Sequence, residues 1–108
     1  VRGMLALVLF LPALAQAGTE HRTMAYTCDR GVQVPATYVT ADDLSVAVLN
    51  VEGSQITLEA EQAASGVRYG WPSGGSHYVW WTKGPKATLY WRDGEADREV
   101  VLLTCARN

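Results

Sequence analysis

The chain has 108 residues, which allows one domain with a small core. Nine Lys and Arg stand against eleven Asp and Glu, a formal net charge of −2. That balance argues against nonspecific nucleic-acid binding, which depends on basic patches, and mildly favours a basic partner.

The first element in chain order is a secretory signal peptide, read over residues 1–17. Arg2 supplies the positive start, Met4 to Leu14 is an apolar run too short to span a bilayer, and Ala15-Gln16-Ala17 has the small-residue pattern of a cleavage site. Pro12 argues against an uncleaved anchor helix, and no Cys follows the apolar run to take a lipid. The expectation is a soluble exported protein, periplasmic or secreted, with no stable membrane insertion. Removing Arg2 leaves eight basic against eleven acidic residues, a mature charge of −3. Residues 18–24 are expected to form an N-terminal tail, and residues 25–108 the folded domain.

From Thr23 onward apolar and polar residues alternate between closely spaced turn signals. The pattern predicts strands over Thr23–Cys28, Val32–Thr40, Leu44–Val51, Gln55–Glu61, Val67–Tyr69, His77–Thr82, Lys86–Trp91 and Glu99–Cys105. Pro35 suits an edge or a bulge, and Glu52-Gly53-Ser54 makes the third and fourth strands the clearest hairpin. Adjacent Trp80 and Trp81 must point to opposite faces, while Ala87, Leu89 and Trp91 share one, with Trp91 read as core. Every connection is too short for a parallel crossover, so the sheet is antiparallel and closes into a small barrel or sandwich. Two cysteines in an exported chain, Cys28 and Cys105, read as one disulfide between the first and last strands. There is no C-x-x-C spacing and no neighbouring His, which argues against a redox or metal pair.

No convergent acid, base and nucleophile are visible. His21 falls in the expected tail, His77 follows a Ser-Gly-Gly-Ser loop, and the carboxylates at Asp42-Asp43 and from Asp93 to Glu99 lie on turns or polar faces where solvation is the simpler reading. Metal and cofactor motifs are absent. The four Trp and five Tyr raise a different possibility, a noncatalytic envelope module holding glycan or peptide on Trp71, Tyr78 and the outward one of Trp80 and Trp81. Ser65 and Lys83 stand apart, because each lies at a strand end beside a glycine that lets another surface approach closely. Their simpler readings are a turn hydroxyl bonded to its own backbone and a solvated charge.

Tyr26-Thr27-Cys28-Asp29, Ser65-Gly66-Val67-Arg68-Tyr69, Trp81-Thr82-Lys83-Gly84 with Ala87 and Leu89, and finally Cys105 occur in that order. The set resembles the MliC/PliC family of bacterial inhibitors of c-type lysozyme. The resemblance implies an all-β fold, a small antiparallel eight-stranded β-barrel stapled by Cys28 and Cys105, with no enzymatic activity and no cofactor. It implies a c-type lysozyme as protein partner, with the loops carrying Ser65 and Lys83 entering the active-site cleft and blocking the catalytic carboxylates. Gly66, Arg68, Tyr69, Gly84 and Trp71 join the expected lysozyme-binding set, Tyr69 bracing the first loop or adding contact area and Arg68 lying at the rim. Two departures from the family pattern bear on docking. The Gly70–Ser76 segment is longer than expected, which predicts a reshaped loop beside Lys83, and Pro85 replaces an acidic residue, stiffening that turn and removing a donor.

Overall fold

Period-two alternation sends one side chain inward and the next outward, and in the computed structural model, which describes residues 18–108, the strands so formed pair in chain order until the last meets the first. β1 (Glu20–Cys28) leads through a single 3-10 turn at Asp29–Gly31 into β2 (Gln33–Ala41). β3 (Leu44–Val51), β4 (Ser54–Glu61), β5 (Val67–Gly70), β6 (His77–Lys83), β7 (Lys86–Asp93) and β8 (Arg98–Arg107) follow. Every pairing is antiparallel and the barrel is closed. Among the described residues no helix is long and apolar enough to cross a membrane. The signal peptide predicted over residues 1–17 lies outside the described residues.

Most of the expected tail is strand. Glu20 pairs with Thr40 and His21 with Val39, and the Thr23 and Thr37 hydroxyls hydrogen-bond at 2.8 Å, so of the expected tail Gly18 and Thr19 alone lie outside β1. The backbone ladder with β2 extends the strand although its side chains there are exposed. Pro35 lies one residue outside the β2–β3 ladder, which begins at Ala36, so it interrupts no pairing there.

The lumen is filled from all sides. Trp80 is fully buried, its ring edge-on to Tyr26 at 5.2 Å, and its N–H donates to the Tyr38 hydroxyl at 2.8 Å. That hydroxyl in turn bonds the Tyr26 hydroxyl at 2.7 Å, so the polar edges of three large rings satisfy one another inside an otherwise apolar core. Burial pushes the Tyr38 hydroxyl pKa up, which keeps it protonated and able to serve both neighbours. Trp91 shares the inward face of Ala87 and Leu89 but stands at the barrel mouth, 37% exposed, against Tyr78 at 5.0 Å. The predicted core position is therefore corrected to a lid position: alternation fixes a side chain's face but not its height in the barrel.

Closure is narrow. β1 and β8 pair only through Tyr26 and Arg107, Thr27 and Ala106, and Cys28 and Cys105, and the disulfide joins the last of these. Beyond it the Asp29 carboxylate accepts the Thr104 N–H at 2.7 Å, and β8 continues paired with β7 alone. The bond spans 77 positions of the chain, so replacing both cysteines with Ala is expected to remove about 4 kcal/mol of stability. Urea unfolding of the two forms measures this; a loss below about 1 kcal/mol would show that the strand pairs hold the seam by themselves.

Candidate functional site

Strand direction collects the β2–β3 turn, the β4–β5 loop and the β6–β7 turn at one end of the barrel. The β4–β5 loop is laid against β6 at Gly66. This residue has φ +65°, and a Cβ there would strike the Thr82 carbonyl oxygen and stand 2.8 Å from Lys83 Cγ. Glycine alone meets both demands. The carbonyl of the preceding Ser65 accepts a hydrogen bond from Trp81 Nε1 at 2.8 Å. Ser65 is exposed, and among the described residues its hydroxyl has no hydrogen-bond partner.

Lys83, also exposed, ends β6. Its Nζ lies 4.5 Å from the Trp81 ring centroid, and among the described residues no carboxylate comes within ion-pair distance of it. The turn that follows has φ +57° at Gly84, as the first position of a primed two-residue turn requires, while Pro85 supplies the negative φ that suits the second. This tight turn sets Lys86 directly opposite Lys83. The two ammonium groups, with Trp81, Thr88 and Tyr90, line an open groove of about 220 Å³ on the outward face. Like charges in opposed positions repel. This end of the barrel thus offers a hydroxyl and two cations that, among the described residues, have no carboxylate in ion-pair distance, an arrangement able to engage anionic groups, while Asp42 and Asp43 stand at the same end on the β2–β3 turn.

Residues 26–98 match the model of the MliC family, described as membrane-bound lysozyme-inhibitor of c-type lysozyme. The chain belongs to the MliC family. A membrane-bound lysozyme inhibitor of C-type lysozyme from Pseudomonas aeruginosa is 34% identical over 93 residues, covering 83% of this chain and 70% of that protein. Its namesake from Yersinia enterocolitica is 30% identical over 100 residues, covering 93% and 75%. The crystal structure of Pseudomonas aeruginosa MliC in complex with hen egg white lysozyme is similar with a TM-score of 0.66 at 29% identity, covering 97% of this chain and 100% of that one. MliC proteins are inhibitors, binding proteins rather than enzymes.

Other residues of the expected MliC set are placed differently. Arg68 points outward, but its donors are engaged within the chain. Nε bonds Glu61 at 2.7 Å, and the guanidinium fork holds Glu99 of β8, with Nη1 at 3.1 Å and Nη2 in a second, shorter contact. Arg92 adds a contact to Glu99 at 3.3 Å and pairs with Asp97. Gly70 makes room, since a Cβ there would stand 2.8 Å from a Glu61 oxygen. This strap of charges crosses the outward face on which Val79, outward by alternation with Trp80, is fully buried. The hydrogen bonds from Arg68 hold the Glu99 carboxyl below the usual carboxylate range.

Tyr69 is 6% exposed inside the barrel, 5.6 Å from Tyr38. Trp71 is 44% exposed in the β5–β6 loop. That loop opens at the end opposite Lys83, with the whole of β6 between, so its predicted position beside Lys83 is corrected. Trp71, Tyr78 and Trp81 do not form one ring platform, because Tyr78 turns inward and Trp81 outward. His77 Nδ1 lies 2.8 Å from the Gly75 carbonyl oxygen.

Sequence reasoning missed Trp81 as the partner of both Ser65 and Lys83, Lys86 as the second cation, and Glu61 and Glu99 as the anchors of Arg68. Trp81 and Lys83 were findable as positions i and i+2 on one strand face, and Lys86 from the two-residue turn. Nothing local signals Glu99, which Arg68 reaches across two intervening strands.

Gly66→Ala is expected to cost at least about 2 kcal/mol, since it combines left-handed backbone strain with a collision against main chain; a melt indistinguishable from wild type would contradict the close packing. Glu99→Gln is expected to cost about 1 to 2 kcal/mol at pH 7. Because the folded pKa of Glu99 lies below its unfolded value, this contribution is present above about pH 4.3 and fades as pH falls through the folded value. Urea melts of both forms from pH 7 down to pH 3 should therefore converge, and a constant gap would mean that the strap acts by packing.

Proposed function

We propose that this chain inhibits a c-type lysozyme by placing the Ser65 loop and the Lys83 turn in the enzyme's active-site cleft. The observation that carries the reading is the close packing of Gly66 on Thr82 and Lys83, which sets side by side at one end of the barrel a hydroxyl without a hydrogen-bond partner and an ammonium without an ion pair among the described residues. Kinship supports it: the relatives are named as inhibitors of C-type lysozyme, and the structural neighbour was solved bound to hen egg white lysozyme.

The chemistry is complementary. A retaining lysozyme cuts between two carboxyl groups, a protonated general acid and an ionised partner. An ammonium delivered between them pairs with both and favours deprotonation of the acid, while a hydroxyl adds a hydrogen bond. The enzyme loses its proton donor and its sugar site together. The net negative charge of the chain speeds encounter with a basic enzyme. Export through residues 1–17 would deliver the inhibitor to the periplasm or beyond, where it shields peptidoglycan.

Titrating the oxidised mature protein against lysozyme-catalysed wall lysis tests the function, with near-stoichiometric loss of activity expected. No inhibition at excess overturns it. Lys83→Ala is expected to weaken inhibition by about 2 kcal/mol or more, roughly thirtyfold in the inhibition constant. A fully active Lys83→Ala protein would leave the function standing and remove this mechanism.

A further inference from the structure

Trp81 touches both residues assigned to the enzyme cleft, and neither contact consumes what they offer. Its N–H bonds the Ser65 main-chain carbonyl at 2.8 Å, leaving the hydroxyl available. Its ring lies 4.5 Å from Lys83 Nζ. A ring face attracts a cation through its quadrupole without neutralising it. A carboxylate would also hold the lysine, but docking would first have to break that ion pair. A lysine with no partner would lose its rotamer freedom on docking.

Two cations share the ring, and of the two Lys83 is the one with no carboxylate in ion-pair distance among the described residues. Arg68 lies directly opposite Trp81, its guanidinium carbon 5.2 Å from the same ring, but Glu61 and Glu99 pin it in the strap. Lys86 faces Lys83 across the turn and repels it from the other side. The ammonium thus rests over a neutral aromatic surface, with positive rather than negative charges on the adjoining strand positions. We propose that Trp81 is the positioning residue of the docking end, one indole that sets the Ser65 loop through its N–H and presents the Lys83 ammonium on its ring. The inference rests on the inhibitor reading above.

Two substitutions separate the two contacts. Trp81→Phe keeps a ring and removes the N–H; Trp81→Leu removes both. In the free protein, NMR should find the Lys83 side-chain methylene protons shifted upfield by the ring current, retained in Trp81→Phe and lost in Trp81→Leu. Inhibition constants should weaken about tenfold in Trp81→Leu and about threefold in Trp81→Phe. Lys83→Ala should also cost less in the Trp81→Leu background than in wild type. Partial rescue by Phe marks positioning rather than general stability.

An unshifted Lys83 in wild type, or a Trp81→Leu protein that inhibits normally while Lys83→Ala does not, overturns this inference and spares the inhibitor reading. If wild type fails to inhibit, that reading falls, and the NMR comparison still decides whether Trp81 holds the lysine. Should Trp81→Leu not fold, the wild-type spectrum and Trp81→Phe carry the test.

Discussion

The seam between β1 and β8 is the constraint on which the rest depends. Three residue pairs and one disulfide turn an eight-stranded ribbon into a cylinder, and a cylinder has a lumen into which alternate side chains must fit. Trp80 fills that lumen only because β1 and β2 come round to bring Tyr26 and Tyr38 against it. The relation of Ser65 to Lys83 is more local: it is set by the pairing of β5 with β6, by Gly66 lying on Thr82 and Lys83, and by the Trp81 N–H on the Ser65 carbonyl.

Two cations share one indole, and the difference between them is instructive. Arg68 is planar, carries fixed donors and meets two carboxylates, so it is spent on structure, tying β5 to β4 and β8 over a fully buried valine. Lys83 is a compact charge on a flexible stem with no carboxylate beside it among the described residues. The outward face therefore divides into a neutralised region that stabilises and a cationic region that remains available. A surface in which every charge was paired would be a poor match for an anionic cleft, because each pair would have to be undone on binding.

Much of this was legible in the sequence, and the exceptions have physical reasons. Period-two alternation located all eight strands because the lumen demands apolar residues on one face only, and it assigned Trp80 and Trp81 to opposite sides. The start of β1 escaped notice because Glu20, His21 and Arg22 are wet on both faces, so only the backbone ladder reveals the strand. Trp91 was misplaced because alternation carries no information on axial height. Trp71 seemed near Lys83 because few residues separate them, yet one intervening strand carries the chain to the other end. Ser65, Gly66 and Lys83 were singled out by motif resemblance; that Trp81 touches both Ser65 and Lys83 emerges only when the strands are laid side by side.

The end remote from Lys83 has its own architecture. The β5–β6 loop and the β7–β8 turn press together there, with Gly94 so close to Gly75 that a Cβ would stand 3.0 Å from the neighbouring Cα, and the Ser76 hydroxyl accepts the Gly94 N–H at 3.0 Å. A full strand length of β6 insulates these turns from the opposite rim. Exposed Ser73 is accordingly a natural attachment point for a linker or dye. Tethered to a bead through that loop, the molecule would face the bulk solution with its lysines outermost, immobilised in one orientation rather than at random.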